Sequence, residues 1–305
     1  MPVNQRQRGV ALAMLLWMMA GLSLLVSGTI YVARTDVQLT SFQLEQAQAQ
    51  AAAIGAAHLL MRDMLGSQNQ NQTQMQSPDN EPATAHLFSR QYQLGELSVA
   101  ATARPTTGFI SLNAASVALL ADLFLYAGGL SQDDALVLAE QVEQWRNATP
   151  PQDFAQPEQP PQTGPFTVLE DLLRVPGMTR LVYDRVSPAL TVIGAASPGV
   201  NPAAAGPVAL LALTRGDQEL VDFIEESRQD ERPEPGTETA GMEPSYLTQD
   251  SSPIYSVEID VMTSANRVFH QRIWVETGSG AGLPWRFNRV MPITMRPGTG
   301  NRDAR

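Results

Sequence analysis

Three histidines are the only imidazoles this 305-residue chain has for moving protons near neutral pH, and their spacing assembles nothing. His58 lies in a run with helical periodicity, His86 precedes a strand-like run, and His270 sits inside another. No pair has the His-x-x-x-His spacing that sets two ligands on one helix face, and no Gly-x-Ser-x-Gly elbow presents a serine nucleophile. With no Cys there is no thiol chemistry, and the fold needs no disulfide even in an oxidising compartment. A net charge of -11 opposes the phosphate backbone of nucleic acids. These residues predict a protein that binds and assembles, not an enzyme.

One peptide bond stands out for chemistry done to the chain. Arg6-Gln7-Arg8-Gly9 precedes Val10–Ala33, 24 residues without a charge. As a helix this stretch is long enough to cross a hydrocarbon core about 30 Å thick, and the leader charges of Arg6 and Arg8 favour a cytoplasmic N-terminus. The residues fit a secretory signal peptide cut near Val26-Ser27-Gly28, although more apolar chain follows there; they also fit an uncleaved signal anchor, or a segment processed at its front. The Gly directly before the apolar run resembles the class III leader of type IV pilins and type II secretion pseudopilins. That resemblance implies that a prepilin peptidase cuts between Gly9 and Val10, methylates the new N-terminus and leaves the membrane helix in place. Most members carry Glu as fifth mature residue, where it pairs with a neighbour's N-terminal amine; here that residue is Met14. A carboxylate in lipid is costly unless paired, so a tip subunit with none above it gains nothing from one. Its absence resembles the minor pseudopilin family called general secretion pathway protein K, the tip subunit of type II secretion.

The elements that would carry such a leader are legible as patterns. Arg34–Leu65 is rich in Ala, Gln and Leu and free of Pro, with Leu39, Phe42, Ala49, Ala53, Ala56, Leu60 and Met64 forming an apolar stripe. The apolar span therefore continues into one helix of about 55 residues, roughly 80 Å long, ended by Gly66 and followed by a Gln/Asn-rich loop over Ser67–Ala85. Leu87–Leu94 and Leu97–Ala103 around Gly95-Glu96 read as a hairpin. Residues 109–228 are helical in pattern, interrupted by a Pro/Gln linker over Thr149–Pro165. A lead-in of apolar residue, Asn and small residues occurs there twice, at Leu112-Asn113 and Val200-Asn201, an offset of 88 residues that suggests two related subdomains. The Asn and Ser residues are candidate helix caps. Between the copies, Thr167 and Glu170 have capping-box spacing and Val175-Pro176-Gly177-Met178 forms a tight turn between two short helices. This turn resembles a helix-hairpin-helix, a motif that often contacts DNA through backbone amides. Its companions here, Glu170, Asp171 and Asp184 against Arg174, Arg180 and Arg185, favour a small packing unit. An acidic linker over Gln229–Gly241 leads to alternating strands at Ile254–Val261 and Arg267–Val275, which should complete the sheet begun at Leu87 and make the helical part an insertion. The tail from Pro297 is expected to fray.

The order of these elements resembles the K family along nearly the whole chain. Phe109-Ile110-Ser111-Leu112-Asn113, Trp145, the hairpin Leu169–Met178 and Val200-Asn201-Pro202-Ala203 carry the match, with Pro202-Ala203 standing where Asn-Thr-Ala is more usual. The resemblance implies an α+β fold: a long N-terminal transmembrane helix, a pilin-like antiparallel sheet, and a large inserted α-helical domain of SAM-like or helix-hairpin-helix kind. The expected divisions are a leader at 1–9, a membrane helix at 10–33, its periplasmic continuation at 34–65, sheet segments at 86–108 and 245–296, the insertion at 109–228 and a linker at 229–244. It also implies an inner-membrane, single-pass protein with a periplasmic head. The implied partners are minor pseudopilins I and J, pseudopilin H, the major pseudopilin and the prepilin peptidase. Calcium is implied by family alone; the oxygen donors on offer are Asp133, Asp134, Asp250, Glu258 and Asp260, with no EF-hand spacing. Two other readings stay open: a membrane protein capturing DNA through the hairpin, and a minor pilin of a type IV pilus.

Overall fold

The computed structural model describes residues 7–74, 87–148, 163–194, 197–228, 239, 241–278 and 283–296; within them, the side chains of 7–11, 26–37 and 68–74 lie outside the description. In chain order the elements are α1 (Gln7–Gln74), β1 (Phe88–Leu94), β2 (Leu97–Pro105), β3 (Ile110–Ser111), α2 (Val117–Asp122), α3 (Gln132–Asn147), α4 (Arg180–Val186) and β4 (Leu190–Thr191). There follow α5 (Pro207–Leu213), α6 (Gln218–Ser227), β5 (Ile254–Met262), β6 (Val268–Thr277), β7 (Trp285–Val290) and β8 (Thr294–Arg296).

α1 runs through Gly66 instead of stopping there. A glycine inside a helix costs about 1 kcal/mol, too little to end one whose next residues, Ser67, Gln68 and Asn69, can continue the backbone ladder. Of the loop expected over Ser67–Ala85, residues 67–74 are helical and 75–85 lie outside the described residues. The predicted stripe is buried at Ala49, Ala53, Ala56, Leu60 and Met64, and Ala52, Ala57 and Met61 widen it. Small alanines let the sheet approach closely: Val99, Ala101 and Ala103 of β2, Val257, Ile259 and Val261 of β5, and Phe269, Ile273 and Val275 of β6 share one core with them. Leu39 does not join this core and is 55% exposed. The reason is where the sheet ends. Its β5–β6 turn reaches α1 at Glu45, which accepts from Thr263 and pairs with Arg267 at 2.6 Å, and Phe42 meets Phe269 at 6.1 Å.

The sheet is antiparallel in the order β1-β2-β5-β6-β7, with β8 also on β6. The hairpin β1–β2 closes from Leu94 to Leu97, and Gly95 takes φ +64°, the left-handed value a two-residue hairpin loop needs. β5 and β6 pair as their alternation predicts, and β2 lies beside β5. The sequence pattern missed β7 and β8, short edge strands with little alternation. The chain between β2 and β5 leaves and returns through one neck, where Thr106 Oγ1 donates to Ser252 Oγ at 2.6 Å in a buried position.

Between those strands the helices build a second core around Leu119, Leu120, Phe124, Leu172, Leu190 and Leu210. The internal repeat is real but its register differs from the one the two asparagines suggest. The turn starting at Ser111 matches the turn starting at Asn201, and α2 starting at Val117 matches α5 starting at Pro207, an offset of 90 residues (111 to 201). Ala114 and Ala115 donate to Ser111 O, and in the second copy Ala204 donates to Asn201 O and Ala205 to Pro202 O. Arg146 at the end of α3 donates to Leu112 O at 3.0 Å and Ala115 O at 2.8 Å; Arg228, following α6, donates to Pro202 O and Ala205 O. The same pair of carbonyls, three residues apart, is thus clamped by an arginine in each copy. Asn113 and Asn201 are not equivalent and neither caps a helix. Asn113 binds the backbone N–H and C=O of Phe166, whereas Asn201 Oδ1 accepts from Ala203 N; Ser116 and Gly206 occupy the N-cap positions.

Arg146→Ala is expected to lower stability by about 2 to 4 kcal/mol, because two buried carbonyls lose a charge-assisted donor. Arg146→Lys should recover only part of this, since an ammonium is a point charge on a flexible stem. Urea unfolding midpoints check it; midpoints of both variants matching the parent would sink the clamp interpretation.

Candidate functional site

α1 carries the leader bond and the apolar run. Arg6 lies outside the described residues; Arg8, Gly9 and Val10 fall in the first turn of α1, and their side chains lie outside the description. From Leu12 to Leu25 every side chain is exposed: Met14 is 72% and Trp17 79% accessible. Among the described residues nothing packs on this apolar surface, which runs round all sides of the helix. Among the described residues no helix is long and apolar enough to cross a membrane. The side chains at 26–33 that the expected span also counts lie outside them.

The hairpin turn is present in modified form. Its first helix, Leu169–Arg174, is 3-10, with Val168 as N-cap and no side-chain cap. Thr167 Oγ1 meets Asp171, not the backbone of Glu170, so the capping box does not form. Val175 is buried, Pro176 and Gly177 are exposed, and Met178 is half-buried and donates its N–H to Val175 O at 3.1 Å. Gly177 takes φ +88°, which only glycine adopts freely. Thr179 caps α4 through Val182 N. The arginines beside the turn are engaged within the chain, Arg174 with Asp171 at 3.7 Å and Arg180 with Asp184 at 2.9 Å. Arg185 donates to Gly128 O at 3.0 Å, so among the described residues each of the three arginines beside the turn has a partner within the chain.

The carboxylates considered for calcium are dispersed. Asp134 and Ser131 exchange bonds at the start of α3, where Asp133 also lies in the first turn. Asp250 N donates to Thr248 Oγ1. Glu258 pairs with Arg272 at 2.6 Å, and Asp260 with His270 at 2.8 Å and Arg296 at 3.4 Å. Among the described residues no three His, Asp or Glu side chains could hold a metal. The acidic stretch at 229–238 lies outside the described residues.

The described histidines have structural partners. His58 Nδ1 accepts from Trp285 Nε1 at 3.1 Å, and its ring lies 4.6 Å from Phe287, tying β7 to α1. His270 binds Asp260, and that hydrogen bond, followed by Arg296, holds the Asp260 carboxyl below its usual range against the opposing effect of burial. Two tyrosines sit against carboxylates. Burial and then the bond to Asp63 push Tyr92 up to about 12, and burial and then the bond to Asp122 do the same for Tyr246. Arg215, at φ +54°, joins Asp122 to Glu243, so this group ties the returning chain to α2.

A phenol whose pKa is raised on folding favours the neutral state, so its contribution is complete below the unfolded value near 10 and is lost as pH rises towards about 12. Absorbance titration of the folded protein should therefore show late ionisation of Tyr92 and Tyr246, beside Tyr183, which burial also raises. Tyr92→Phe and Tyr246→Phe should each remove one of these late steps. A single step near 10 for all six contradicts the assignment.

No protein-family model and no curated protein matches the chain. Among solved structures it matches a chain of the crystal structure of the GspK-GspI-GspJ complex from the type 2 secretion system of enterotoxigenic Escherichia coli. The match has a TM-score of 0.52 at 16% identity and covers 85% of this chain and 99% of that one. At that identity the likeness establishes a shared fold: α+β, with an antiparallel sheet.

Proposed function

We propose that this chain is the K-type minor pseudopilin of a type II secretion system, acting without catalysis at the tip of the pseudopilus and helping to start its assembly. The observation that carries the reading is the fold match over nearly all of a chain from the GspK-GspI-GspJ complex. It is supported by the apolar first helix that continues unbroken into the spine of the sheet. On this reading α1 anchors the protein in the inner membrane through Val10–Ala33, N-terminus cytoplasmic and head periplasmic, after a prepilin peptidase has cut at Gly9. Met14 leaves the helix without the carboxylate that would pair with a subunit above. The helices inserted between β2 and β5 make a bulky head, which a helical stack tolerates at its end. The partners are the I and J pseudopilins, and through them H and the major pseudopilin.

Co-expression of the full chain with I and J pseudopilins, followed by detergent extraction and sizing, should yield a 1:1:1 complex. Failure to associate, or labelled protein spread along the length of the pseudopilus, overturns the tip role. Salt-sensitive, submicromolar DNA binding would favour the DNA-capture reading instead.

A further inference from the structure

Where the outward face of the sheet meets the helical unit there is a cleft of about 50 Å³, lined by Arg272, Trp274 and Arg289 from the sheet and by Glu170 and Thr191 from the helical side. A single water needs about 10–15 Å³, so the space matches a group of three or four heavy atoms. A β-bulge builds one wall. β6 and β7 pair Trp274 with Arg289 and Val275 with Phe287, leaving Asn288 as an extra residue. In an unbroken strand, residues two apart share a face. The extra residue lets Phe287 turn inward onto His58 while Arg289 stands beside Trp274 on the outward face.

The donors gathered there are incompletely used. The Arg289 side chain makes no hydrogen bond or ion pair among the described residues. Arg272 gives Nη2 to Glu258 at 2.6 Å, but its Nε is buried without a partner. Arg104 lies on the same outward face, close enough to Arg272 for the two charges to repel, and burial lowers its pKa below the ordinary arginine range. In a chain of net charge -11 this is a concentration of cations, offset locally by Glu258 and Glu170. A planar anion small enough for the space, able to take two parallel guanidinium bonds, is a carboxylate.

We infer that this cleft is a carboxylate-binding site that takes the side chain of an Asp or Glu from a partner protein, with Arg289 and Arg272 as its donors and Trp274 as its wall. The site does not depend on the secretion role. The test uses full-length protein in detergent, labelled with 5-fluorotryptophan, which gives one fluorine signal for each of the four tryptophans. The probes are a blocked Gly-Glu-Gly peptide, its Gly-Gln-Gly counterpart, acetate and inorganic phosphate. The Trp274 signal, assigned with Trp274→Phe, should move saturably with the Glu peptide and not with the Gln peptide. Arg289→Gln should weaken that binding about tenfold, or roughly 1.4 kcal/mol, with the melting temperature unchanged because Arg289 is exposed. No shift with the Glu peptide, a shift insensitive to Arg289→Gln, or tighter binding of phosphate overturns the site. Acetate binding as tightly as the peptide overturns the protein partner and leaves a free carboxylate as the ligand.

Discussion

Replacing Gly9 with valine is expected to leave the chain at full length, with processing slowed on the order of a hundredfold, about 2.7 kcal/mol of transition-state stabilisation. A peptidase must bring its catalytic groups against the carbonyl of the residue it cuts after. Glycine, with no Cβ, allows the closest approach. Valine adds a branched Cβ at the scissile bond while leaving the charges of Arg6 and Arg8 and the apolar run from Val10 untouched. Membrane insertion should therefore survive, separating a processing defect from a folding one. Intact mass and N-terminal sequencing provide the readout. The parent chain should begin at Val10 and the variant at Met1. A parent chain that begins at Met1, or after residue 25, removes the pilin-type leader from the account. Met14→Glu, by contrast, should stay membrane-inserted and processed.

Gly108→Val is expected to destabilise the head by about 3 kcal/mol or more. Gly108 closes the 3-10 turn after β2 and is buried against the second lead-in turn. A Cβ there would press on the carbonyl oxygen of Ala204 and lie 2.6 Å from its carbon and 2.8 Å from its Cβ. The first two are backbone atoms, and they cannot move aside without shifting the turn. Asn201 N is bonded to Thr107 O at 2.7 Å, and Arg228 clamps Pro202 O and Ala205 O. The contact also sits at the neck where Thr106 meets Ser252, so relief by a backbone shift would disturb both units. Gly55→Ala is the control. Nothing lies within 4 Å of a Cβ at Gly55, inside α1, so this change should stabilise by about 0.5 to 1 kcal/mol. Thermal melts of both variants decide the matter. A Gly108→Val melt within a degree of the parent would mean that the neck is looser than its hydrogen bonds indicate.

Local chemistry made part of this legible. The β1–β2 hairpin follows from two alternating runs around Gly95, and the β5–β6 pair from two more around a short polar turn whose Asn266 takes φ +57°. The alanine stripe of α1 follows from helical spacing alone. In each case the signal and the structure lie within about twenty residues of one another, where periodicity and turn preference act without knowledge of the rest of the chain.

The candidate site was legible only in pieces. Val175-Pro176-Gly177-Met178 announces its turn, but whether cations beside it are free is settled by Arg174 meeting Asp171 and Arg180 meeting Asp184. Arg289 carries no local signal; its place beside Trp274 comes from a bulge between two strands, and the strand holding it has too little alternation to be read as one. The acids proposed for metal illustrate the same limit, since Glu258 and Asp260 found cross-strand cations instead of one another.

What the sequence by itself determined is therefore the set of local elements and the chemistry the chain lacks: no thiol, no metal-spaced histidines, a glycine ahead of an apolar run, and hairpins marked by their turns. Only the tertiary structure decided the register of the repeat, 90 residues and not 88, because the equivalence is set by which carbonyls Arg146 and Arg228 clamp and not by which positions hold Asn. It likewise decided that Leu39 is exposed, Gly66 is helical, and β2 lies against β5 across the inserted helices. These outcomes depend on partners distant in sequence, and contacts of that range leave no period in the chain that makes them.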